Sequence, residues 1–217
     1  MLTKTDLLTQ NSIPNIRDVS LALYKDFSVD ILLNRIFRYK FIDGSVIDLE
    51  FTEWGIYHIL SLQHIEGRIS KDALFAEIDN GLSFNDFKNN NSIKRRFSTQ
   101  KKRITTFACI YNILKNGMCF YLPTGKVQNT ANVKLDYLVF ADIDGKGLNL
   151  GIRHTRDGRY IPISMLIAKT KNKELYIEGS ERKMVESLTI LEQQKVIETI
   201  NYNFSMVDKT GDCREIE

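Results

Sequence analysis

Apolar residues recur at helical spacing in the first half of the chain and lean towards alternation in the second. Val19, Leu23, Phe27 and Ile31 stand four apart, which predicts one helix over residues 17–36 with a single apolar stripe. In "FRYKFIDGSVIDLEF" (37–51) apolar and polar residues partly alternate on both sides of Asp43-Gly44. That dipeptide is the standard two-residue hairpin signal, so two antiparallel strands are expected. A short helix follows from Ile56 to about Ile65, capped near Gly67. Ser70 caps a further helix in "KDALFAEIDNG", Ser83 with Asp86 opens another, and a basic stretch leads through a helix to Gly117. Then the character changes. "MCFYLP" reads as a strand, and residues 132–179, rich in β-branched and aromatic side chains, read as a four-stranded antiparallel meander. The segment "SERKMVESLTILEQQKVIETIN" gathers Met184, Leu188, Leu191 and Ile197 near one face and predicts a C-terminal amphipathic helix. The expected class is α+β, with helices packed on a curved antiparallel β-meander.

Composition narrows the class of protein more than its chemistry. The 217 residues are 43% hydrophobic and 26% charged, with a net charge of +3. No apolar run approaches the ~20 residues that cross a bilayer, and the N-terminus lacks a signal peptide's apolar core. Cys109, Cys119 and Cys213 form no CxxC pair, and their odd number argues against a disulfide framework, so a reducing cytoplasm is the expected location. Neither a Walker loop, a GxSxG elbow nor a GxGxxG fingerprint is present, which sets aside kinase, hydrolase-elbow and dinucleotide readings.

Two of the three histidines, His58 and His64, fall in "FTEWGIYHILSLQH" (51–64) beside the single tryptophan, Trp54. Six positions apart, they lie about 120° around an ideal helix, so at most one, His58, is expected to face a shared site. It is either a packing residue or a group that moves a proton near neutral pH. The histidines lack HxH or HExxH spacing, so no metal site is expected. Lys94, Arg95, Arg96, Lys101, Lys102 and Arg103 fall within ten residues, enough to attract a phosphate backbone, with Phe97 among them as a stacking partner for a base. A solvated helical face is the alternative. Around one hairpin of the meander stand Arg153, His154, Arg156, Arg159, Tyr160 and Ser164, with Lys134 one strand earlier. The period of two places Tyr160, Pro162 and Ser164 on one strand face. Such a set can hold a phosphate and shuttle protons.

The order of these parts is similar to the phage and prophage domain family PBECR4, of the barnase–EndoU–colicin–RelE-like (BECR) group. The family's aromatic hairpin, "HLLGL"-like helix, "K-x-D-Y-L" strand and "P-x-S" strand correspond here to residues 37–51, to His58-Ile59-Leu60-Ser61-Leu62, to Lys134-Leu135-Asp136-Tyr137-Leu138 and to Pro162-Ile163-Ser164. The resemblance covers residues 36–180, leaving a helical extension at 1–35 and a helix with tail at 181–217. Ser61 departs from it, standing where the family has glycine. The resemblance implies a metal-independent endoribonuclease, a toxin or phage effector, without cofactor, with RNA (tRNA or rRNA) and a cognate inhibitor as partners. In the implied reaction a ribose 2′-hydroxyl attacks the adjacent phosphorus, and a 2′,3′-cyclic phosphate and a free 5′-hydroxyl result. His58 is assigned to proton transfer with His154 in reserve, Lys134 and Arg153 to the phosphate, and Tyr160 and Ser164 to positioning or relay. A catalytically inactive module that binds nucleic acid or a host protein, and an interaction protein that works through its terminal helices, are the competing expectations.

Overall fold

The structure, a computed structural model, describes residues 1–65, 73–127, 130 and 134–202. The expected helices at Gly67 and Ser70 lie partly outside these residues. Helix α1 (Lys4–Thr9) begins at a reciprocal cap, in which the Asp6 carboxylate accepts from the Thr3 N–H and hydroxyl and the Thr3 hydroxyl accepts from the Asp6 N–H. The stripe expected over 17–36 is shorter. Helix α2 (Leu21–Phe27), capped by Ser20, runs into one π-helical turn (Ser28–Leu32) and ends, because the alternating strand residues begin at Arg35.

The hairpin forms as expected: β1 (Arg35–Phe41) and β2 (Val46–Glu50) are antiparallel, with Gly44 at φ +83°. Helices α3 (Glu53–Ile59), α4 (Leu74–Asp79), α5 (Phe84–Asn89), α6 (Lys94–Thr106) and α7 (Ile110–Asn116) follow. Next come β3 (Met118–Tyr121), β4 (Tyr137–Ile143), β5 (Lys146–His154) and β6 (Tyr160–Ala168). The expected fourth meander strand is absent: after a 3-10 turn at Thr170–Asn172 the chain turns as far as Gly179.

The C-terminal amphipathic helix is likewise not formed. Its residues make β7 (Glu181–Lys183), β8 (Val185–Glu192) and β9 (Lys195–Asn201). Leu188 and Leu191 match a helical stripe only by coincidence. Thr189, Ile190, Val196, Ile197, Thr199 and Ile200 carry the β-branched stiffness that favours strands, and Leu188 and Ile190 are buried two apart. These strands join the main sheet instead of forming an appendage.

The nine strands form one sheet in the order β7-β3-β4-β5-β6-β2-β1-β8-β9, antiparallel except for a single parallel contact, Leu49 with Tyr160, between β2 and β6. One residue, Met184, separates β7 at one edge from β8 near the other, so the sheet must curl round to meet itself. The Met184 carbonyl accepts from the Ile42 N–H (3.0 Å), Lys183 pairs with Asp43 (2.8 Å), and the Phe41 and Tyr137 rings stack 6.1 Å apart. One face of the curl holds Phe37, Tyr39, Leu49, Val139, Leu150, Ile152 and Leu188, packed with Leu7, Phe27, Ile104 and Ile113 of the helices in one continuous core. The opposite face carries a smaller cluster, Leu135, Leu138, Phe140 and Leu166.

Candidate functional site

The end of β5 and the start of β6 organise the chemistry. Leu135 lies against Gly151, where a Cβ would come within 2.4 Å of Leu135 Cδ1, so a larger residue there would force the Leu135 side chain to shift. This segment is hydrogen-bonded on both sides: the Asp136 N–H donates to the Ile152 carbonyl, and the Leu122 N–H to the Asp136 carbonyl. Lys134 pairs with Lys126 in an antiparallel bridge. A cleft of about 490 Å³ results, lined by Thr124, Gly125, Lys126, Lys134, Asp136 and Arg153. Three cations against one carboxylate give the cleft a positive lining, which attracts anions. The Arg153 guanidinium donates to the Lys134 carbonyl (3.1 and 3.3 Å), which fixes both residues at one wall.

Asp136 joins this cleft to the other face of β5. Its carboxylate accepts the backbone N–H of His154 (2.7 Å), and the exposed His154 ring stacks on Tyr160 with centroids 4.7 Å apart. Tyr160 meets Tyr137 edge-on at 5.7 Å, and Tyr137 meets Tyr121 at 5.3 Å. Burial pushes the Tyr137 phenol up to about 12, with Tyr160 the next contributor. Tyr160 is raised as well, first by burial and then by the Asp136 charge. Both phenols therefore keep their protons at neutral pH and act as donors.

Ser164 does not share a face with Tyr160 and Pro162. The register shifts between Gly151 and Ile152, so Pro162 stands opposite Ile152 while Ser164 stands opposite Gly151. This bulge reverses the phase of β6 beyond Pro162, and no pattern of residue types announces it.

His58 sits on α3, half-buried, with the Trp54 ring at 4.5 Å and the Tyr57 ring at 5.7 Å. Its helix packs on β6 at Gly55, where a Cβ would lie 2.5 Å from the Pro162 carbonyl oxygen. His58 thus belongs to a helix held against the strand that begins with Tyr160, but it is not among the residues lining the cationic cleft. His58 and His64 do not share one helix. Ser61, at φ +58°, interrupts it, and His64 lies exposed in a 3-10 turn (Leu62–His64). That left-handed conformation is one glycine adopts freely and serine rarely does.

The basic cluster lies on α6. Its heptad spacing aligns Lys94 with Lys101, Arg95 with Lys102 and Arg96 with Arg103 around the axis. Lys94, Arg95, Arg96 and Lys102 are exposed, and among the described residues none of the six forms an ion pair. Arg103 donates to the Ser61 hydroxyl (3.2 Å), and Lys101 lies over the Phe97 ring. Phe97 is only 1% exposed, packed on Phe84 and Phe87, so it cannot stack on a base.

Lys126 and Asp136 are the functional candidates that residue patterns passed over. The Gly125-Lys126 pair fails the P-loop test, and its value lies in the bridge to Lys134, a pairing only the fold creates. Among the described residues no cluster of His, Cys, Asp and Glu is arranged to hold a metal ion, and no helix is long and apolar enough to cross a membrane. Comparison of the chain with protein-family models, curated proteins and solved structures finds no match in any of the three.

Proposed function

We propose that the protein is a ribonuclease that cleaves RNA without a metal ion. The observation that carries this reading is the cleft of Lys126, Lys134 and Arg153, tied through Asp136 to the stacked His154–Tyr160 pair. The cations hold the phosphate and offset the negative charge that develops on the phosphorane. His154 takes the proton from the attacking 2′-hydroxyl. Tyr160, which retains its phenol proton at neutral pH, supplies one to the departing 5′-oxygen. The new P–O2′ bond and the broken P–O5′ bond leave a 2′,3′-cyclic phosphate. The resemblance of the "K-x-D-Y-L" and "P-x-S" strands to the PBECR4 domains supports the same chemistry. DNA, which lacks the 2′-hydroxyl, is not a substrate.

The test is cleavage of tRNA, rRNA and single-stranded RNA in EDTA. Cutting is expected to persist, and His154→Ala is expected to slow it by ~10²-fold or more, the usual contribution of one positioned acid or base. Loss of activity in EDTA, or no cleavage of any RNA, refutes the proposal. If His58→Ala abolishes cleavage and His154→Ala spares it, the proton-transfer role passes to α3. A non-catalytic RNA-binding reading is favoured by α6 alone: Lys94, Arg95 and Arg96 occupy the first turn, with no acidic residue there, where the helix dipole opposes cations. Under that reading, charge reversal at Arg95 and Lys102 removes a salt-sensitive affinity and no RNA product forms.

A further inference from the structure

A second cleft, of about 330 Å³, opens where β1, β2 and the β8–β9 turn meet. Ile36 and Leu191 contribute apolar lining, while Asn34, Glu50, Gln193 and Gln194 contribute two kinds of hydrogen-bonding group, side-chain amides and one carboxylate. Arg35 also lines the cleft, held in place by Glu192 (3.2 Å) and the Tyr111 hydroxyl (3.1 Å).

The turn itself is chosen against local preference. Gln193 and Gln194 are the whole connection between β8 and β9, and both have positive φ, +48° and +64°. Two such residues in a two-residue hairpin match a type I′ turn, for which Asn-Gly is the favoured pair because glutamine gains nothing from the left-handed region. Strained positions of this kind cluster at functional sites, and here both side chains border one cleft. A lining that combines apolar side chains with amides and a carboxylate offers a surface for a ring and partners for its polar edge. Asn and Gln amides satisfy the paired donor and acceptor of a base edge, and a carboxylate accepts from an exocyclic amino group.

We propose that this cleft recognises an unpaired nucleobase bearing an exocyclic amino group. Its position relates it to the anion site: the Glu50 carboxylate lies 3.9 Å from the guanidinium of Arg159, in the turn that joins His154 to Tyr160. The inference rests on the ribonuclease reading only in taking the base to belong to the bound RNA. The cleft then selects which nucleotide lies beside the cleaved bond.

The test uses free adenosine, cytidine, guanosine and uridine, which carry no phosphate, and follows the side-chain amide NMR signals of Asn34, Gln193 and Gln194. The three amino-bearing nucleosides are expected to shift these signals and to saturate them at about tenfold lower concentration than uridine. Gln193→Asn combined with Gln194→Gly is expected to raise Tm by a few degrees while removing the nucleoside-induced shift of Asn34. Glu50→Ala is expected to erase the preference over uridine. The inference is overturned if no nucleoside moves these signals, if uridine binds as tightly as the others, or if the double variant still binds. A protein that binds nucleosides here but never cuts RNA retains this site and loses the ribonuclease reading. One that cuts RNA in EDTA while these signals stay unmoved does the reverse.

Discussion

Gly55→Ala tests the packing of α3 on β6, because two effects of opposite sign compete at that residue. In an exposed helix interior, replacing glycine with alanine stabilises by roughly 1 kcal/mol through backbone entropy. Gly55 is buried, and a Cβ there would stand 2.5 Å from the Pro162 carbonyl oxygen and 3.2 Å from Thr52 Oγ1. Ordinary contact begins near 3.4 Å, so the helix and the strand must part by close to 1 Å. The obstructing atom is backbone, so no side-chain rotation relieves the clash. Overpacking of this kind costs ~1–3 kcal/mol, and a rigid backbone obstacle puts the cost at the upper end, for a net loss of about 1–2 kcal/mol. Urea unfolding monitored by near-UV and far-UV circular dichroism reads this as a lower midpoint at unchanged slope. An increase in stability of the size that helix propensity alone predicts would refute the close approach of α3 to β6, and with it the placement of His58 against that strand.

Lys134→Ala, which removes a cleft cation but leaves its backbone carbonyl for Arg153, is expected to weaken RNA binding and reduce the slope of log affinity against log salt by about 1; anisotropy titrations across salt concentrations measure it, and an unchanged slope removes Lys134 from the phosphate site. The hydrogen bond from Lys183, followed by those from Ser45, holds the Asp43 carboxyl far below the ordinary carboxylate range. A carboxyl depressed in the folded state stabilises above its unfolded value and loses that effect as pH falls through the folded one. The stability gap between wild type and Lys183→Ala is therefore expected to be constant at neutral pH and to close below about pH 4, as followed by urea midpoints; a gap that widens on acidification contradicts the pairing. Deleting residues 181–217 is expected to unfold the protein, because β8 covers β1 and β7 pairs with β3. A folded, cooperative fragment by circular dichroism would show that these strands are dispensable.

The legible part of the fold was its short-range part. Asp43-Gly44 marked its hairpin because a few residues set such a turn: the Gly44 N–H donates to the Phe41 carbonyl and Gly44, at φ +83°, closes a three-residue loop. Ser83 with Asp86 formed its cap for the same local reason. The cations at 94–103 were visible as a cluster, but Phe97 among them faces the core, since six surrounding charges do not reveal which helical face is covered. Lys134 and Arg153 belong to separate strand and hairpin patterns in the sequence. Their meeting with Lys126 comes from the Lys126–Lys134 bridge and the Arg153–Lys134 hydrogen bonds, contacts between residues distant in the chain.

By itself the sequence determined the α+β class, the first hairpin, the Ser83 cap and the residue types that bear chemistry, because propensity, turn geometry and charge act within a few residues. Only the tertiary structure decided that residues 181–201 are strands, that Ser164 falls out of phase with Tyr160, and that the Lys134–Arg153 cleft forms apart from His58's ring partners. A strand is stabilised by neighbours distant in the chain, and a bulge by the register of its partner. A segment such as "VESLTILEQQKVIETI" fits helix and strand alike until β1 offers an edge to pair with.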